Sequence, residues 1–171
     1  MKFPKSVKLH SYHFIVIFLI IILTQLSGNL IFYLTDIIFP QELIDFLEKV
    51  SQSLEETYDY LLSFKKNSPI IVVFAIALTP AICEEFLFRG YLQNILKQKY
   101  SINKSIIITS LVFSIVHLNP LSFLGIFLLS CAIGFYKEKT NSLKIPILIH
   151  FTNNFISIVL YNSMILFNIE I

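Results

Sequence analysis

The sequence is short of most of what a water-soluble domain displays. Only 14% of its 171 residues are charged, against about 25% in an ordinary globular domain. Its thirteen Lys and Arg nearly balance eleven Asp and Glu and form no dense basic run, which argues against a nucleic-acid partner. There are only two cysteines, Cys83 and Cys131, each inside an apolar stretch. A disulfide framework is therefore excluded, and both read as buried thiols. With four glycines, six prolines, no internal repeat and no biased linker, low-complexity architectures are excluded too. What is abundant is hydrocarbon: 56% of residues are hydrophobic and the mean hydropathy is +0.75. A soluble fold needs a polar exterior, and one domain of this length cannot hide so much apolar surface. The chain belongs in a bilayer.

The uncharged runs place the helices. Phe14 to Thr35 is 22 residues without a charge, about 33 Å as a helix, enough for a hydrocarbon core of roughly 30 Å. It is too long and too bulky for a signal peptide, so it reads as an uncleaved anchor. A second helix begins near Pro69 and continues through Cys83 into Glu84-Glu85-Phe-Leu-Phe-Arg89-Gly-Tyr-Leu. Between Ser105 and Tyr136 only His117 could carry charge, and 32 residues would make a helix of about 48 Å, too long for one crossing. The run must fold back, and Asn119-Pro120 marks the turn, giving Ser105 to Leu118 and Leu121 to Tyr136. Ile145 to Ile169 is the last helix. The expected fold is thus an all-α polytopic membrane helical bundle with about five transmembrane helices.

Basic residues orient it. Lys2, Lys5 and Lys8, then Arg89, Lys97, Lys99 and Lys104, then Lys137, Lys139 and Lys144 fall on one side of a five-crossing chain, ten of the thirteen. The positive-inside rule makes that side, and with it the N-terminus, cytoplasmic. Opposite lies the acidic segment Asp36 to Lys66, whose apolar positions Leu43, Phe46, Leu47, Val50, Leu54, Leu61, Leu62 and Phe64 recur at helical spacing, as one or two amphipathic surface helices. Residues 1–66 then form an anchor with an acidic outer loop, and residues 67–171 a helical domain that carries the chemistry.

Five ionisable residues lie where lipid should discourage them: Glu84, Glu85, Arg89, His117 and His150. Glu85 and Arg89 are i and i+4 in the favourable order for an ion pair. They can hold the helix in place and neutralise each other. Glu84 points about 100° away from Glu85, so one arginine does not readily satisfy both carboxylates, and a second carboxylate nearby suits a group that must accept a proton. Phe113 and His117 share a helix face at i and i+4, a spacing that packing alone would also explain. The same spacing puts the Asn154 amide beside His150, either to hydrogen-bond a developing oxyanion or to join two helices. Asn153 points elsewhere. His150 is six residues past Lys144, about 9 Å in, and Glu84 and His117 are each thirteen residues from Lys97 and Lys104, roughly 20 Å along the helix. All can meet in one cavity in the cytoplasmic half of the membrane.

Three motifs carry these residues: Glu84-Glu85-Phe-Leu-Phe-Arg89, Phe113-Ser-Ile-Val-His117 and His150-Phe-Thr-Asn-Asn154. In that order, on separate apolar helices, they resemble the signature of the CPBP family (CAAX proteases and bacteriocin-processing enzymes, also called Abi), intramembrane proteases. Phe88-Arg-Gly90 and the approach Thr140 to His150 are also similar, and the resemblance covers about Ile70 to Leu160. It implies that Glu84 is the general base for the attacking water, helped by His117. His150 and Asn154 would stabilise the oxyanion, with Glu85, Arg89 and Phe113 in support. Members often have six to eight spans, more than the five counted here. The implied activity is intramembrane endopeptidase, acting at the cytoplasmic side on a peptide or membrane-protein substrate, in lipid, in a bacterial cell membrane. The family is commonly called metalloprotease. The sequence lacks His-Glu-x-x-His, and Glu84, His117 and His150 are the candidate ligands for a Zn²⁺ with water in its open position. The reading favoured here needs no metal. A Cys83 nucleophile is disfavoured by its carboxylate neighbours. The alternatives are a non-catalytic immunity or scaffold protein of the same fold, and a proton or ion carrier using Glu84, His117 and His150 as a relay.

Overall fold

The computed structural model describes residues 15–16, 18–22, 33 and 37–167. Most of the first apolar segment, Lys2, Lys5, Lys8 and Asp36 lie outside the described residues, as do residues 168–171 at the end of the last segment. Among the described residues the chain is helical, without strands. Helix α1 spans Gln41–Leu62. Helix α2 runs Pro69–Leu96, 28 residues in one continuous rod. Helices α3 (Ile102–Val116), α4 (Phe123–Thr140) and α5 (Lys144–Leu166) follow.

Two of these, α2 and α5, are long and apolar enough to cross a membrane. Only 22% and 28% of their most apolar windows are buried inside the bundle. Ile70, Ile71, Phe74, Phe86, Leu87 and Tyr91 on α2 point outward, as do Val159 and Leu160 on α5. A soluble core helix would be covered on those faces, so the expectation of a lipid-facing bundle rests on these two elements. Helix α3 has 15 residues, about 22 Å, short of a full crossing by itself. Helix α4 reaches Thr140, four residues past the expected end, and so includes Lys137, Glu138 and Lys139. Five crossings are therefore more than the described helices establish. The acidic segment forms a single helix, α1, after Pro40, whose carbonyl accepts from the amides of Leu43 and Ile44 at 3.0 and 3.3 Å.

Turn chemistry explains the fold-back between α3 and α4. The helix stops at Val116, two residues before the expected end, with His117 as its cap. Leu118 then takes a left-handed φ of 54°, and the Asn119 side chain accepts from the Ser122 amide at 3.0 Å before Phe123 opens α4. A left-handed Asn141, φ 48°, ends α4, a conformation that asparagine tolerates better than most residues.

Packing rests on small and polar groups as much as on hydrocarbon. Ile21, Ile133, Tyr136, Ile145 and Ile149 form one core, so the first apolar segment touches α4 and α5. Val72, Ala77 and Ile158 form another beneath Leu62 and Phe64. Asn162 on α5 fastens the end of α1: its carbonyl oxygen accepts from the Phe64 amide at 2.8 Å, and its amide donates to Leu62 O at 3.0 Å. Along α3, Ser105, Thr109, Ser110 and Ser114 are all buried, the small-residue seam that lets membrane helices approach.

The α2–α4 contact is a polar ladder. Arg89 meets Ser130, Gln93 meets the Gly134 carbonyl and Lys97 meets Glu138, every rung 41 residues apart. A constant offset of one sign means that the two helices run parallel. Glu138 closes the ladder, accepting from Lys97 at 2.7 Å, Lys137 at 2.8 Å and Gln93 at 2.9 Å. At Gly134 an added Cβ would lie 3.0 Å from Gln93 Oε1 and 3.1 Å from Ile106 Cγ2, and the Gln93 amide is held in place by two bonds donated from Nε2. At Gly90 the nearest atom is the flexible tip of Leu143, 3.3 Å away. Alanine gains about 1 kcal/mol of helix propensity over glycine, while overpacking costs about 1–3 kcal/mol. Gly134→Ala is therefore predicted to lower the melting temperature in detergent, and Gly90→Ala to leave it level or raise it. Equal behaviour of the two variants would contradict this packing account.

Candidate active site

Glu84 and Glu85 lie near the middle of α2, in an α-helical stretch Thr79–Glu85 flanked by two wider π-helical segments, Val73–Leu78 and Phe86–Leu92. Such wide turns inside helices are frequent at functional sites. From there the two carboxylates meet different surroundings.

Glu85 is fully buried. Its Oε1 accepts from Arg89 Nη1 at 3.0 Å and from His150 Nδ1 at 2.9 Å. Arg89, also fully buried, spends Nη2 on α4, donating to the Ser130 carbonyl at 3.0 Å and hydroxyl at 2.7 Å. Its guanidinium carbon sits 4.6 Å from the centre of the Phe113 ring on α3. The expected i, i+4 ion pair is present, and it does more than neutralise: through His150, Ser130 and Phe113 it joins α2 to α5, α4 and α3. Phe113 is the common wall, with its ring centre 4.4 Å from that of His117, 5.9 Å from His150 and 4.9 Å from Phe88.

Glu84 is left for the cavity side, with 31% of its side chain exposed, beside a His117 that is 26% exposed. One oxygen, Oε2, is enclosed and has no hydrogen-bond partner among the described residues. Two imidazole nitrogens face it: His117 Nε2 at 3.8 Å and His150 Nε2 at 3.9 Å. Both gaps exceed a hydrogen bond. The partners of the other ring nitrogens fix the tautomers. His117 Nδ1 lies 2.7 Å from the Phe113 carbonyl, and His150 Nδ1 lies 2.9 Å from the Glu85 carboxylate, groups that only accept. Each Nδ1 therefore carries a proton, and a ring with that one proton turns a lone pair at Nε2 toward Glu84. Three acceptors converging on one point suit a molecule with hydrogens to give, such as water.

Imidazoles with Nδ1 held by a carboxylate or a carbonyl also make good zinc ligands. Tetrahedral ligands at 2.1 Å from a zinc ion lie about 3.4 Å from one another, closer than the spacings here. Among the described residues no three His, Cys, Asp or Glu side chains stand placed to hold a metal ion.

Asn154 is oriented by other partners. Its amide donates to the Ile76 carbonyl on α2 at 3.2 Å, and its oxygen accepts from Asn153 at 3.3 Å. Asn153 thus works beside Asn154 rather than away from it. Cys83 is exposed on the outside of the bundle, not buried, and Cys131 is half-buried. Sequence reasoning missed Ser130 and the Gln93–Glu138 rung. Ser130 is one of few polar residues in a long apolar run, but no local spacing ties it to Arg89.

The segment that builds this centre, residues 66–156, is matched by the family described as Type II CAAX prenyl endopeptidase Rce1-like. The chain belongs to this family. The match covers just over half of the sequence and holds all three motifs, whereas α1 lies outside it. The resemblance to CAAX proteases is thereby established at family level: this Rce1-like chain is a helical membrane protein of a protease family. Neither curated proteins nor solved structures give a match.

In this Rce1-like centre, removing the arginine would leave a buried carboxylate without its cation, a change that costs about 3–5 kcal/mol. Arg89→Met is predicted to reduce stability by that order in a chemical unfolding titration. A stability within about 1 kcal/mol of wild type would show that the pair is dispensable.

Proposed function

We propose that this chain hydrolyses a peptide bond in a membrane-associated protein or peptide, with a water activated by Glu84. The observation that supports this reading best is the convergence of His117 Nε2 and His150 Nε2 on the one enclosed Glu84 oxygen. A water there donates one hydrogen to Glu84 and the other to His117 Nε2, leaving an oxygen lone pair to attack. As the new C–O bond forms, the water's proton passes to Glu84 and the substrate carbonyl becomes an oxyanion. Asn154 has a second amide hydrogen to offer it. His150, its Nδ1 proton engaged by Glu85, can take the water's proton on from Glu84 at Nε2, donate to the oxyanion as the imidazolium, and hand the proton back. Collapse breaks the C–N bond, and Glu84 returns the proton to the leaving amine. These steps use only this chain's side chains and water, and we place no metal in them.

Arg89 and Glu85 take no part in bond making in this reading. They set the orientation and tautomer of His150, the task that a buried carboxylate performs for a catalytic histidine elsewhere. Phe113 does the same for His117, by its carbonyl and its ring.

The test uses the purified full chain in liposomes with two internally quenched peptides, one farnesylated and ending in a CAAX sequence, the other unprenylated. Wild type is predicted to cleave at least one of them. Glu84→Gln and His117→Ala are predicted to lose about 10²-fold or more of that rate, the scale of general-base catalysis. A product rate that is the same for wild type and Glu84→Gln on both peptides would refute the proposal.

A further inference from the structure

Proline inside a helix has two local effects: its nitrogen gives no hydrogen, and its ring pushes on the carbonyl four residues earlier. Pro80 lies in α2, four residues before Glu84, and the carbonyl four residues before it belongs to Ile76. The helix widens there, and the Thr79 amide bonds to Phe74 O, five residues back. The Ile76 carbonyl, which the nitrogen of residue 80 cannot serve, accepts from Asn154 Nδ2 on α5 at 3.2 Å. Because a carbonyl only accepts, this contact fixes which end of the Asn154 amide faces α2. The Asn153 side chain donates to the opposite end at 3.3 Å, in keeping with that orientation. One amide hydrogen is thus committed to Ile76, and the other has no partner among the described residues.

From these contacts we propose that Pro80 is a positioning residue: by freeing the Ile76 carbonyl it holds the Asn154 amide in the orientation that donates to the substrate oxygen. The proposal rests on the protease reading above, which gives Asn154 that task. It adds a cause that lies on another helix. A regular α-helix at this place would give Ile76 an internal donor, and Asn154 would have to share the acceptor that orients it. Pro80 and Glu84 occupy the same face one turn apart, so one stretch of α2 carries the base and sets the position of the oxyanion donor across the cavity.

Pro80→Ala restores the missing N–H and separates this role from a merely structural one. Removing a proline from a helix interior favours the helix. The variant is predicted to melt no lower than wild type, while kcat on whichever quenched peptide wild type cleaves falls at least five-fold and KM stays within two-fold. A second readout needs no activity. Asn154→Ala is predicted to lower the melting temperature by about 2–4 °C in the wild-type background, where it strips the Ile76 carbonyl of its donor. It should cost less than half of that in Pro80→Ala, where residue 80 supplies one. A Pro80→Ala protein with unchanged kcat, or one that melts lower, overturns the proposal, as does an Asn154→Ala penalty that is equal in both backgrounds. Glu84→Gln assayed alongside keeps the two readings apart: if it still cleaves, the protease reading fails, whereas an inactive Glu84→Gln beside a fully active Pro80→Ala sinks only the role of Pro80.

Discussion

A fully buried arginine in an apolar bundle needs partners for its charge, because neither lipid nor hydrocarbon can solvate it. Arg89 finds Glu85 on its own helix, the Ser130 hydroxyl and carbonyl on α4, and the face of Phe113 on α3, and only its Nε has no hydrogen-bond partner among the described residues. Glu85 in turn is shared with His150 on α5. Four helices are thereby fixed around one guanidinium. None of these contacts is long-range in the electrostatic sense, since each is a hydrogen bond or ring contact with defined geometry. They specify register more than they add stability, because a buried pair recovers little beyond its own desolvation.

The same constraint divides the labour between two adjacent carboxylates. Glu85 is fully buried, and its Oε1 is held by both the cation and an imidazole, while Oε2 has no hydrogen-bond partner among the described residues. Glu84, one residue earlier and rotated out of the pair, keeps an enclosed oxygen that faces two ring nitrogens. Both of those nitrogens have their tautomers fixed from behind, one by Glu85 and one by the Phe113 carbonyl. The centre is therefore organised from its buried side outward, and the polar ladder between α2 and α4 continues that organisation toward Lys97 and Glu138.

Much of this was legible in the sequence, for physical reasons that can be named. Charge is so costly in lipid that the five ionisable residues of the apolar segments stood out, and helical spacing alone paired Glu85 with Arg89 and Phe113 with His117. Asn119-Pro120 marked the fold-back, though the left-handed Leu118 shortened α3 by two residues. What escaped is tertiary. The bond from His150 to Glu85 spans 65 residues, and that from Asn154 to Ile76 spans 78. No local pattern encodes either, and intrahelical spacing had instead suggested that Asn154 lies beside His150. Ser130 was invisible because a serine in an apolar helix reads the same whether it binds an arginine or fills a seam.

The central claim is that neighbouring carboxylates have separate tasks, one structural and one chemical. Glu84→Gln and Glu85→Gln change the same atoms at adjacent positions, so comparing their unfolding midpoints and their peptide cleavage is the most direct measurement. The account predicts that Glu84→Gln unfolds with wild type but cleaves about 10²-fold or more slowly, whereas Glu85→Gln unfolds at clearly lower denaturant because Arg89 loses its counter-charge. An equally destabilised Glu84→Gln, or a Glu85→Gln protein as stable as wild type, would contradict it.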